Sequence, residues 1–173
     1  DGSAELDGSF SITAGGTGDH QITLGQGNDT YTSTSTAGED VIATAGDNVI
    51  RTGDGADTIV GGSGNDDMSG EGGADTFQFV SANFTSGDTV SGGAGNDIIE
   101  MTDDSIVTDS DFTNVTSVKT LTSSANINLN AALGAKAMAA GISVVTLIDD
   151  GAANTVTLSS GFTSAIGVTL ATD

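Results

Sequence analysis

Large apolar residues recur at a fixed step along the first half of the chain. Ile50, Ile59, Met68 and Phe77 stand nine residues apart, and Asn48, Asp57, Asp66 and Asp75 keep the same step two places earlier. Residues two apart lie on one face of an extended strand. The D-x-apolar triplets therefore predict short strands, with the carboxylate at the turn edge and the apolar side chain inward. Glycine-rich turns separate them; glycine tolerates positive φ there and leaves the carbonyls free to converge. Ordinary hairpin turns in an antiparallel sheet would not need this double register.

The unit is a nonapeptide. GGSGNDDMS (61–69) and GGAGNDIIE (92–100) both fit G-G-x-G-x-D-x-U-x, where U is large and apolar. TGDGADTIV (52–60) and GEGGADTFQ (70–78) adjoin the first copy without a gap, and ATAGDNVIR (43–51) keeps the frame with Asn48 at the carboxylate position. GGTGDHQIT (15–23), LGQGNDTYT (24–32) and STAGEDVIA (35–43) are looser. They put His20, Asp29 and Asp40 at the carboxylate position and Ile22, Tyr31 and Ile42 inward. His20 departs from the pattern.

These residues resemble the RTX (haemolysin-type calcium-binding) nonapeptide repeats over residues 15–100. The resemblance implies an all-β fold, a calcium-bound parallel β-roll or β-solenoid. Two nonapeptides then make one coil, so that residues 18 apart stack, Asp57 on Asp75 and Asn48 on Asp66. Each ion is expected between stacked turns, where carboxylates and glycine carbonyls supply the six or more oxygens calcium takes. The expected metal-binding carboxylate or carboxamide residues are Asp29, Asp40, Asn48, Asp57, Asp66, Asp75, Asp88 and Asp97. The expected carbonyl donors are Gly25, Gly27, Gly53, Gly55, Gly62, Gly64, Gly73, Gly93 and Gly95. Residues 72–97 also resemble the end of such a roll, where a run after D-T-F interrupts the period before Gly87-Asp88-Thr89.

Charge points the same way. The 173 residues hold 24 Asp and Glu against 3 Lys and Arg, a net charge of −21 with 26 glycines. Such a chain lies near the disordered border, yet its mean hydropathy of +0.02 and its β-type segments argue for a fold. A bound cation reconciles the two. Oxygen donors without His or Cys clusters select a hard ion, calcium before zinc or copper. The lack of cysteine excludes disulfides and thiolate sites. Three basic residues cannot form a nucleic-acid footprint, and no apolar run approaches the length of a membrane-spanning helix.

After Glu100 the pattern changes. Met101–Asp111 reads as a solvated acidic loop, with an additional calcium site as the second reading. FTNVTSVKTLTSS (112–124), NINLN (126–130), ISVVTLIDD (142–150), NTVTLSS (154–160) and IGVTLATD (166–173) alternate like short strands, and Val-Thr-Leu occurs three times. They predict a less regular β-solenoid continuation over 101–173, with one helical turn over 131–140 that places Leu133, Ala137 and Ala140 on one side. Phe112–Val115, Val118, Thr120–Leu121, Leu133–Gly141, Ile142 and Val145–Leu147 resemble segments beside RTX repeats in bacterial surface-layer proteins and large exported adhesins. The expected organisation is an N-terminal edge strand (1–14), the roll (15–100) and the continuation (101–173).

No catalytic centre is expected. His20 is the only imidazole, and Asp66 of the Asp66–Asp67 pair is committed to the metal register. Two functional classes follow: a calcium-dependent structural or assembly module of a surface layer, adhesin or filament, or an accessory module of an exported enzyme. The resemblance implies an extracellular place and one-step type I secretion. A start at Asp1 suits a processed product, a fragment or export without a cleaved leader. The strand at Gly167–Leu170 and the alternating Leu6, Phe10 and Ile12 predict open edges. Such edges would associate into a filament or lattice, or stack on neighbouring segments.

Overall fold

In the computed structural model, which describes residues 8–125, 127–149 and 153–172, the chain winds as a β-solenoid whose strand pairs are all parallel. Successive strands alternate between two sheets. Among the described residues the first holds Ser11–Ala14, Thr30–Ser33, Val49–Arg51, Asp67–Ser69, Thr89–Ser91 and Val115–Thr116. The second holds His20–Thr23, Glu39–Ile42, Thr58–Val60, Thr76–Phe79, Ile98–Met101, Thr120–Ser123, Val144–Asp149 and Gly167–Thr172. Strands of three or four residues are enough, because each needs to carry only one inward side chain between two turns.

The inward side chains stack into two columns. Tyr31, Ile50, Met68, Val90 and Val115 line one sheet, and Val41, Ile59, Phe77, Ile99, Leu121 and Val145 the other; all are buried. Full burial of such a side chain contributes about 1.5–3 kcal/mol, so the columns hold the coils together. Cross-coil pairing puts Ile50 beside Met68 and Ile59 beside Phe77, the 18-residue stack expected of two nonapeptides per coil.

One looser copy sits in a different frame. Val41 points inward and is fully buried, while Ile42 is 45% exposed. Glu39 is buried and Asp40 exposed. The expected placement of Asp40 at the turn edge and Ile42 inside is therefore corrected by one residue. Val41 pairs with Ile59, and the step from each to the next core residue selects the frame that fills the core.

The coil lengthens along the chain. Coil-to-coil hydrogen bonds span 19 residues at Asp29, 18 at Asp75, 22 at Asp97 and 25 at Asn154. The first enlargement, at 80–88, admits Phe84. Its ring lies 4.9 Å from Phe79 and 5.3 Å edge-on from Phe112, centroid to centroid. A third sheet, Ser105–Thr108, Leu129–Leu133 and Thr155–Leu158, then opens a further face. Residues 105–108 thus form a strand where an acidic loop was expected, because Val107 enters the core and pairs with Ala131. Leu133 also belongs to a strand, and the helix is shorter than expected, Ala135–Ala140, with Ala137 and Ala140 buried. Of the three Val-Thr-Leu segments, 145–147 and 168–170 pair directly and 156–158 lies in the third sheet. Leu6 falls outside the described residues.

Candidate calcium-binding turns

The turns between strands form two columns, one on each side of the roll. In each, the last turn residue before the strand is polar and buried. One column carries Asp57, Asp75 and Asp97, the other Asp29, Asn48, Asp66 and Asp88. Their placement follows from the pleat: the D-x-U triplet points the carboxylate and the core residue to the same side, and the carboxylate falls where two turns stack.

A repeated bond sets the geometry. Oδ1 of Asp75 accepts the N–H of Asp57 at 3.0 Å, and Oδ1 of Asp97 accepts that of Asp75 at 3.1 Å. Asp57 takes the N–H of Glu39, Asp66 that of Asn48, and Asp29 that of Phe10. Each carboxylate thus ties one coil to the preceding one through a single oxygen. The other oxygen, Oδ2 of Asp29, Asp57, Asp66, Asp75 and Asp97, is buried without a hydrogen-bond partner. An unpaired buried carboxylate oxygen is strongly unfavourable.

The electrostatics carry that cost. Burial pushes Asp75 up to about 7, and the neighbouring carboxylates of Asp57 and Asp97 add to the rise against the Asp57 N–H. Asp66 is pushed up to about 6, chiefly by burial, with Asp88 and Asp47 raising it further and Asn48 opposing. Burial also raises Asp57. All three groups are harder to ionise than ordinary carboxylates, and a nearby positive charge opposes that shift.

Backbone oxygens complete the surroundings. A methyl group on Gly73 would overlap the Gly55 carbonyl oxygen, and one on Gly95 would overlap that of Gly73. Gly73 and Gly95 sit at φ of 136° and 148°, a region that excludes side chains almost as firmly as the contact does. The Gly27 carbonyl stands in the same relation to Gly46, while those of Gly25 and Gly53 accept bonds from Thr44 Oγ1 and the Gly72 N–H. Gly62, Gly64 and Gly93 also adopt positive φ, and a methyl group on each would overlap a carbonyl of the preceding coil. Among the described residues no three His, Cys, Asp or Glu side chains converge as a metal cluster. Single buried carboxylates in carbonyl-rich glycine turns are instead oxygen donors of the kind a hard cation takes.

Three of the expected ligands stand differently. Asp40 lies on the outer face, 3.4 Å from Gln21 Nε2, and Glu39 takes the buried slot. There, Glu39 binds Ser33 Oγ, His20 Nδ1 and Tyr31 Oη at 2.7–2.8 Å, which leaves neither carboxylate oxygen unpaired. The Tyr31 hydroxyl is held well above the usual tyrosine range by burial and by Glu39. Oδ2 of Asp88 accepts the N–H and hydroxyl of Thr85. Asn48 presents an N–H₂ group where its neighbours present Oδ2. The signal for Glu39 was in the sequence: both it and Val41 lie 18 residues before Asp57 and Ile59. Lys119, whose ammonium binds the Gly95 carbonyl and Asn96 Oδ1, had no repeat signal.

In the C-terminal half the acidic run serves the backbone. Asp103 accepts the Ser81 N–H and the Ser105 hydroxyl, and Asp104 the Asn128 N–H. Oδ1 of Asp109 takes the N–H groups of Gly134, Lys136 and Ala137 at the start of the helix.

Comparison with known families identifies RTX calcium-binding nonapeptide repeats in this chain, four copies over residues 42–77 and 85–100. No curated protein and no solved structure is matched by the chain. The repeats and the parallel roll agree: the chain is a β-solenoid that carries RTX calcium-binding repeats over residues 42–77 and 85–100. No helix among the described residues is long and apolar enough to cross a membrane.

Proposed function

We propose that the chain is a calcium-dependent structural module of a bacterial extracellular protein, part of a surface layer, adhesin or filament, that folds when it meets calcium outside the cell. The single observation that carries this is the set of buried, unpartnered Oδ2 atoms on Asp29, Asp57, Asp66, Asp75 and Asp97. With the glycine-turn carbonyls, those carboxylates are the proposed ligands. Calcium supplies the positive charge that lets them ionise inside the roll. Extracellular calcium modules bind at about 10⁻⁴–10⁻³ M, so the chain stays loose in a calcium-poor cell and can be threaded through a type I secretion channel.

The same observation divides the chain. Unpartnered carboxylate oxygens occur within 15–100, whereas Asp103, Asp104, Asp109 and Asp111 of 101–173 are hydrogen-bonded within the protein. We assign ion binding to the first part and a structural continuation to the second. In the strand Gly167–Thr172, Val168 and Leu170 are 53% and 68% exposed, although their partners Val145 and Leu147 are buried. That apolar face suits a further stacked β-coil. Circular dichroism with calcium and then chelator, followed by light scattering at millimolar calcium, tests both parts. Unchanged β-signal after chelation at neutral pH defeats the calcium reading, and a strictly monomeric particle at all concentrations defeats assembly.

A further inference from the structure

Asn48 occupies a carboxylate slot in the column of Asp29, Asp66 and Asp88. Like its neighbours it receives the N–H of the preceding coil: Oδ1 accepts that of Asp29 at 3.0 Å. That bond determines the orientation of the amide, because the atom facing an N–H donor must be the oxygen. Nδ2 therefore stands where Asp29 and Asp66 carry an unpartnered Oδ2. Four oxygens surround it: Asp66 Oδ1 at 2.9 Å, Gly46 O at 3.0 Å, Gly61 O at 3.2 Å and Ala45 O at 3.4 Å. Three carbonyls and a carboxylate from two adjacent coils form a donor set fit for a hard cation, and here an N–H₂ group fills it.

We propose that Asn48 stands in for a calcium ion in its turn, so that the coil of residues 34–48 closes without metal. The inference rests on reading the orphaned Oδ2 atoms as ion ligands. The opposite turn of the same coil supports it independently. Glu39 has both oxygens satisfied by Ser33, Tyr31 and His20, with its side chain fully buried. Both turns of this coil are thus supplied with positive hydrogen atoms by the protein. The coil is a calcium-free step between Asp29 on one side and the column Asp57, Asp75 and Asp97 on the other. When ions leave, it is the part of the roll that keeps its hydrogen bonds, and ion-dependent coils can stack on it when calcium returns.

Two measurements on the whole chain decide this. Bound calcium is counted per chain by native mass spectrometry for the unaltered protein and for Asn48→Asp. Amide exchange of the unaltered protein is followed after chelation. Asn48→Asp is expected to bind one ion more than the unaltered chain and to need calcium for protection of residues 43–50. In the unaltered chain without calcium, the N–H groups of Asp29 and Asn48 are expected to exchange about tenfold or more slowly than those of Asp57 and Asp75. Equal ion counts in the two chains overturn the proposal. Equal exchange at the four amides does so too, and that arm decides if Asn48→Asp does not fold. An unaltered chain that binds no calcium defeats the parent reading as well, whereas calcium binding with equal counts defeats this inference alone.

Discussion

The N–H of Asp57 donates to Oδ1 of Asp75 across two stacked coils, and in doing so leaves Oδ2 of Asp75 buried with no partner. One oxygen builds the solenoid and the other is left without a partner. Structure and metal demand therefore reside in the same side chain, and each coil added to the column adds another negative charge beside the last. On the proposed reading, this coupling makes the fold of the roll conditional on calcium.

Asp57→Ala and Asp75→Ala each remove a coil-to-coil bond and a proposed ion ligand. Each is expected to raise the calcium concentration needed for folding by about tenfold or more, and the double variant little beyond the worse single one. An ion shared between stacked turns is lost only once, so the effects are strongly non-additive. Calcium titrations followed by circular dichroism measure it; fully additive losses refute a shared site.

Asp103→Ala provides the contrast. Its carboxylate serves Ser81 and Ser105, so the variant should lose about 1 kcal/mol of stability at saturating calcium. Its ion count should stay unchanged. Urea melts beside calcium counting separate the two effects.

Acid should act in opposite directions with and without metal. In the ion-free roll, burial raises Asp66 to about 6 and Asp75 to about 7. A carboxyl raised on folding contributes stability that is full below its ordinary range near 3.9 and is lost as pH rises through the folded value. In chelator, β-signal should therefore grow as pH falls from 8 to about 5. With calcium present, protons compete for the same oxygens, and the apparent calcium affinity should fall over that window. Parallel pH titrations of the circular dichroism check the crossing.

Gly73→Ala should be among the most damaging small changes in the roll. The new methyl meets the Gly55 carbonyl oxygen at a φ of 136°, and a loss of about 3 kcal/mol or more is expected. Gly18→Ala has open space around it and should shift stability by less than about 1 kcal/mol. Thermal melts at saturating calcium compare them.

Asp109→Ala tests the C-terminal half. It strips three N–H groups at the start of Ala135–Ala140 of their acceptor. Loss of such a cap costs about 0.5–2 kcal/mol. The penalty should be the same with and without added calcium, read as urea midpoints for the C-terminal strands by amide exchange.

The nine-residue double register determined, by itself, the short strands and the inward residues Ile50, Ile59, Met68 and Phe77; the resemblance to RTX repeats added the 18-residue stack, and the acidic composition the demand for a hard cation. Those properties repeat locally, and periodicity carries them. It failed where the pattern loosened: Asp40 and Glu39 both suit the turn edge chemically, and only filling the core with Val41 rather than Ile42 chose between them. The third sheet was equally hidden, since the alternation at 105–108 is obscured by flanking aspartates. Which oxygen is paired and which is left over is not a property of any one repeat. Asn48, Asp88 and Asp66 look equivalent along the chain. Their fates diverge because Asn48 meets the oxygens of Gly46, Gly61 and Asp66, Asp88 meets Thr85, and Asp66 keeps one oxygen unpaired. Hydrogen-bond satisfaction is decided by what the neighbouring coil brings within about 3 Å, and only stacking in three dimensions sets that.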